Sequence, residues 1–324
     1  MPVVYIHGVA VRDENEELNR ALKRFRDVSW PTIEGLLREH VAPAISDDPD
    51  GVPIMRAYWG DLGARFAWDG RSLVSQPVQD ELDPPGPVGL EADQPKPTVG
   101  ETLREAGMKR VRTTVTAIRR PLEVFVPTFL GDVMTYLNTR GNADAPGPIP
   151  LRVLETLEVA QFAADSRAEP LVVLTHSMGG QILYDLLTHF IPRMPQHRGI
   201  RVDFWCATAS QIGFFEELKL FLESDPLTGA DTGTLAPRPA SAHLGGWWNV
   251  WDHADLLSFR AAGIVEGVDD GSFFAAGTLA TDHFRYLDNA PLYRALARRL
   301  RASMKGEGEG EGEVADGGPR RTGG

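Results

Sequence analysis

Apolar and polar positions along the chain alternate between two periods. Short, nearly unbroken apolar runs occur at residues 2–6, 52–59, 171–174, 200–207 and 247–251, with a weaker one at 272–276. Runs of this length, rich in β-branched and aromatic residues, predict strands buried on both faces of a parallel sheet. Between them, apolar residues recur at helical spacing. Leu18, Leu22 and Phe25 are followed by Ile33, Leu36 and Leu37, with Pro31 dividing the stretch into two helices. Residues 99–119 predict a helix with a basic side, residues 125–137 are apolar, and residues 151–166 predict another helix. Ile182, Leu183, Leu186, Leu187 and Phe190 mark one more, and residues 291–304 form a final Arg-rich amphipathic pattern. Strands alternating with helices predict an α/β fold with a parallel sheet covered on both faces. In such sheets, sites lie at the carboxyl ends of strands.

Two segments lack either period. Residues 76–97 are rich in Pro, Gly and acidic side chains and predict a long surface loop. Residues 305–324 begin with a Gly-Glu repeat too poor in apolar groups to order, so the tail is expected to be disordered. The expected organisation is one domain over 1–304, with helical insertions at about 60–150 and 207–246. The stretch 211–221, with Phe214, Phe215, Leu218, Leu220 and Phe221, reads first as a buried helix and second as a lid or lipid-facing element.

Composition narrows the function classes. Of 324 residues, 42% are hydrophobic and 24% charged, enough apolar material for a sizeable core. The net charge of −12 repels phosphate backbones, so no nucleic-acid partner is expected. Contact of the Arg-rich helices with anionic lipid headgroups is left open as a peripheral membrane reading. The single cysteine, Cys206, allows neither an intrachain disulfide nor a thiolate zinc site, which fits a reducing compartment. No stretch approaches the roughly 18 apolar residues of a membrane span, and the first residues lack signal-peptide features. The expected location is therefore cytoplasmic. With 28 Arg to 5 Lys and abundant Ala, Gly and Pro, the composition matches a GC-rich bacterial genome.

The chemistry centres on Thr175-His176-Ser177-Met178-Gly179-Gly180, between an apolar strand and a helix. Small residues after the serine let strand and helix pack closely, so the bend lifts Ser177 Oγ out of the sheet. The helix N-terminus offers amides to a developing oxyanion. This segment resembles the nucleophile elbow of the α/β-hydrolase superfamily, in particular serine esterases and lipases. Thr175 stands where the usual motif has glycine.

The resemblance implies an order of serine, acid, histidine. Asp255, before Leu256 and Leu257, is the first candidate for the acid, and Asp252 the alternative. His283, just ahead of the last helix, is the candidate base, with Asp282 beside it as a helix cap; His253 is the main competitor. His176 is set aside because a strand neighbour points to the opposite face. His7-Gly8-Val9 resembles the turn that supplies an oxyanion-hole amide, so Gly8 or Val9 would pair with Met178, supported by His7 and Gly179. Tyr5 and Arg12 are candidates to line the same cleft. The resemblance then implies a three-layer α/β-hydrolase-like sandwich whose mostly parallel sheet lacks the first two family strands, begins at the third and keeps about six.

These implications amount to hydrolysis of a small-molecule or lipid acyl ester through an acyl-enzyme, with no metal or organic cofactor. A thioesterase or acyltransferase could use the same triad, and a non-enzymatic sensor or scaffold is the reading from another class. A dinucleotide-dependent oxidoreductase is excluded by the absence of a glycine-rich fingerprint after the first strand.

Overall fold

A computed structural model describes residues 1–16, 19, 28–68, 125–273 and 282–304. The predicted helix at 99–119, the loop at 76–97, the tail at 305–324 and the end of the strand predicted at 272–276 lie outside these residues. So do most of the positions on the helix predicted ahead of Pro31.

The described chain forms an α/β fold around one six-stranded sheet in which all strands are parallel. The strands are β1 (Val3–Ile6), β2 (Ile54–Ala57), β3 (Val172–His176), β4 (Val202–Thr208), β5 (Leu244–Asp252) and β6 (Asp269–Phe273). Their order across the sheet is β2-β1-β3-β4-β5-β6. The helices of six or more residues are α1 (Trp30–Leu36), α2 (residues 125–139), α3 (Pro148–Asp165), α4 (Met178–Asp185), α5 (Ile212–Glu217) and α6 (Ala290–Met304). Pro31 sits in the first turn of α1, where its missing N–H has no helical partner to lose.

Strand alternation sorts the core into two layers. Val4 and Ile6 of β1, Val173 of β3, Trp205 of β4 and Trp247 of β5 pack with α3 and α4. Val3 and Tyr5, Val172 and Leu174, Phe204 and Cys206, and Trp248 and Val250 face the other way, against α1 and α6. Residues 125–139, within the stretch expected as an insertion, bury Phe125 and Tyr136 in these layers.

The predicted helix over 211–221 is shorter than expected. It stops at Glu217, and Lys219 takes a left-handed conformation, φ 53°, that reverses the chain. Lys219 Nζ then reaches back 2.7 Å to buried Glu216, whose other oxygen accepts from Ser224 at 2.7 Å. A buried carboxylate needs such partners, and the turn supplies them. Phe215 and Phe221 are buried, whereas Phe214 is partly exposed and stacks on Phe259. Among the described residues, no helix is long and apolar enough to cross a membrane.

Candidate active site

Five chain segments converge at the carboxyl ends of the strands. The first is the turn from β3 into α4. Ser177 has φ 53° and ψ −130°, a conformation that L-residues rarely adopt. Its N–H donates to the carbonyl of Thr208 at the end of β4, and its carbonyl accepts from Gly180 N–H at 2.9 Å. Neighbouring glycines make the turn sterically feasible. A Cβ on Gly179 would overlap the carbonyl oxygen of Ile6 and come within 2.9 Å of the carbonyl oxygen of His7. Thr175, the departure from the usual motif, is fully buried and anchors β4. Its Oγ1 accepts from Trp205 Nε1 at 2.9 Å, and its carbonyl from Thr208 Oγ1 at 2.8 Å.

The second and third segments carry the acid and the imidazole. His283 Nε2 lies 2.9 Å from Ser177 Oγ, and His283 Nδ1 lies 2.9 Å from Asp255 Oδ2. All three residues are buried. Of the two aspartates after β5, Asp255 is the one brought to His283. Its second oxygen accepts the Leu257 N–H at 2.9 Å. Burial works against its charged form. The facing His283 ring, their hydrogen bond and the Leu257 amide outweigh that, holding the carboxyl below its usual range. Asp252 shapes the turn instead, with Oδ1 accepting from Ala254 N–H at 3.0 Å. Ser258 Oγ lies 3.2 Å from both the Asp252 and Asp255 carbonyls and ties the two ends of the turn.

One expectation about a neighbour is corrected, and a second neighbour gains a contact with the site. Asp282 does not cap the last helix, because α6 starts at Ala290 and Asp282 opens a separate short turn. Its carboxyl is pushed up by burial and by the charge of Asp252, and Oδ1 has no hydrogen-bond partner among the described residues. His176, set aside in sequence, touches the site from the opposite face. Its Nε2 is 2.7 Å from the carbonyl oxygen of His283, and its ring lies 5.0 Å from the His283 ring. Because a carbonyl only accepts, Nε2 carries the proton. His253 is exposed, packs on Trp251 at 4.4 Å and is not brought to Ser177.

The fourth segment is the turn after β1. Gly8 lies against the serine: a Cβ there would stand 2.6 Å from Ser177 Cβ and 2.9 Å from the His176 carbonyl oxygen. His7 fixes the strand end through both ring nitrogens, Nδ1 donating to Gly8 O at 2.6 Å and Nε2 accepting Trp59 N–H at 3.0 Å. Val9 and Met178 are both buried. Met178 opens α4, where no intrahelical acceptor exists. Tyr5 stacks on Trp30 at 5.8 Å, and Arg12 turns inward to pair with Asp132 rather than lining a cleft. A cavity of about 370 Å³ lies beside this turn, lined by Tyr5, His7, Trp30, Arg56, His176 and Phe284 among others.

The fifth segment follows β4. Gln211 Nε2 donates to the Ala209 carbonyl at 2.7 Å and also to the carbonyl of Leu257 in the acid-bearing turn. Gln181 of α4 donates to Gln211 Oε1, so one amide side chain links the helix after the serine to the loop that holds Asp255. Sequence reading missed Gln181, Gln211 and Asp132. Each is a polar residue inside an apolar stretch, and its partner is distant in sequence. Among the described residues, no three His, Cys, Asp or Glu side chains are grouped to hold a metal ion.

A scan against protein-family models and a search of curated proteins find no match to this chain.

Proposed function

We propose that this chain is a serine hydrolase of α/β-hydrolase type that cleaves acyl esters. The observation that carries the reading is the unbroken relay from Ser177 Oγ to His283 Nε2 and from His283 Nδ1 to Asp255 Oδ2, each step 2.9 Å, on a strained strand-to-helix turn. Its chain order is serine, acid, histidine. Each member follows the end of a strand, Ser177 after β3, Asp255 after β5 and His283 after β6.

The chemistry follows from the atoms. His283 Nε2 takes the proton of Ser177 Oγ as the oxygen attacks the acyl carbonyl. Asp255 accepts from Nδ1–H, which leaves Nε2 as the lone-pair nitrogen and stabilises the imidazolium that forms. The amides assigned to receive the negative charge of the tetrahedral oxygen are those of Val9, next to the Gly8 that presses on Ser177, and Met178, which opens α4. His283 then returns the proton to the leaving alcohol, and a water activated by the same nitrogen hydrolyses the acyl-enzyme.

The test is labelling with a fluorophosphonate probe. Wild type should label on Ser177, and Ser177→Ala should not. Equal labelling of both proteins would refute the assignment of the nucleophile.

A further inference from the structure

We infer that Asp132 is a positioning residue for the turn that supplies one of the two oxyanion amides; the inference rests on the hydrolase reading above. Asp132 lies on α2, far in sequence from β1, and is fully buried. Its two oxygens collect four donors. Oδ2 accepts Ala10 N–H at 2.8 Å and Arg12 Nη1 at 3.2 Å. Oδ1 accepts Ala64 N–H at 2.8 Å and pairs with Arg12 Nη2. Arg12 is itself buried and adds a bond to the Val11 carbonyl at 3.1 Å. One carboxylate therefore holds both the turn after β1 and the loop after β2 onto α2.

The consequence for the site lies in the backbone at Ala10. Its φ is 59°, a left-handed conformation that a non-glycine residue adopts only when its surroundings hold it there. The Asp132 Oδ2 bond to Ala10 N–H supplies that hold from one side. Gly8, pressed against Ser177 and bonded to His7, supplies it from the other. The Val9 amide lies between these two fixed points, so its direction toward the oxyanion depends on both. A buried ion pair by itself is weak ground for stability. Here the pair terminates on the turn that faces the nucleophile.

Asp132→Asn tests this directly, because an amide has one accepting oxygen and cannot satisfy the donors that converge on both. Three proteins are compared: wild type, Asp132→Asn and Arg12→Lys. Rates of p-nitrophenyl butyrate hydrolysis are normalised to serine titrated by fluorophosphonate, so misfolded protein does not count. Affinity for a trifluoromethyl ketone, which forms a tetrahedral oxyanion on the serine, is measured alongside. The expected result for Asp132→Asn is a fall in kcat of about 10- to 100-fold with KM changed by less than about twofold. Ketone affinity should weaken in parallel. Arg12→Lys, which keeps the charge but loses the fork, should show the same pattern at smaller size. If Asp132→Asn fails to fold, Arg12→Lys decides with the same two readouts. Variants that lose only thermal stability, with kcat and ketone affinity like wild type, overturn the positioning role and leave the hydrolase reading standing. A wild type that does not react with fluorophosphonate overturns both.

Discussion

His176 Nε2 lies 2.7 Å from the carbonyl oxygen of His283, so the residue before the serine holds the main chain that carries the imidazole. The ring of His283 faces Ser177, and the ring of His176 bonds the main chain that carries it. Replacing His176 with Phe keeps the stacking on Phe284, at 5.5 Å, and removes the donor. The expected result is a fall in kcat of about tenfold with KM little changed, the size of one lost hydrogen bond. Steady-state kinetics on a chromogenic ester check it. A kcat equal to wild type would mean that the loop is held by its other contacts.

Ser177→Ala and Ser177→Gly should both be inactive, yet differ in stability. Alanine keeps a Cβ at φ 53°, and glycine does not. Removing that strain outweighs the extra chain entropy of glycine, so Ser177→Gly should be the more stable of the two by about 1 kcal/mol. Urea denaturation of the two variants is the measurement. The reverse order would mean that the turn is relaxed in solution.

Gly179→Ala should destabilise the fold by about 1–3 kcal/mol, although alanine is ordinarily the better helix former. The added methyl would overlap the Ile6 carbonyl oxygen, where β1 passes the start of α4. Gly180→Ala meets a side chain instead, Ser210 Cβ at 3.1 Å, and should be tolerated better. Thermal melts of the pair give the comparison. Equal melting temperatures would show that β1 and α4 can separate at little cost.

Asp255→Asn should lower kcat by about 10⁴-fold, because an amide that turns its NH₂ toward His283 favours the wrong tautomer. Asp252→Asn keeps the oxygen that Ala254 N–H requires and should stay within about tenfold of wild type. The same substitution at 255 has a pH signature. The folded-state carboxyl of Asp255 is held below its usual range, with burial opposed by His283. Its contribution to stability is therefore fully present above the unfolded value of about 4 and lost as pH falls through the lower folded value. Melting temperature against pH should fall less steeply below about pH 4 in Asp255→Asn than in wild type. Parallel acid limbs would contradict that linkage.

Much of this arrangement was legible in the sequence where a local pattern carried it. Apolar runs located β1, β3, β4 and β5 to within a few residues, because a strand buried on both faces needs an apolar residue at every position. Ser177 stood out because the turn around it admits only small neighbours on its helical side. Sequence ranks Asp255 ahead of Asp252 only on the two leucines that follow it, since both accept amides in the same turn, and the third dimension brings Asp255 to His283. The alternation rule placed His176 on the correct face. It could not show that residues 283–286 cross to that face and meet it there. Asp132 was hidden for a similar reason: its reason for burial is Arg12, 120 residues earlier.

The separation of the relay along the chain has a temporal consequence. Ser177 and His283 are 106 residues apart, and every strand of the sheet precedes the imidazole. A growing or partly folded chain can therefore display the serine turn, but it has no base to activate it. On the proposed function, the serine turn has no base until the turn that carries His283 reaches it, so the onset of probe labelling would time that contact.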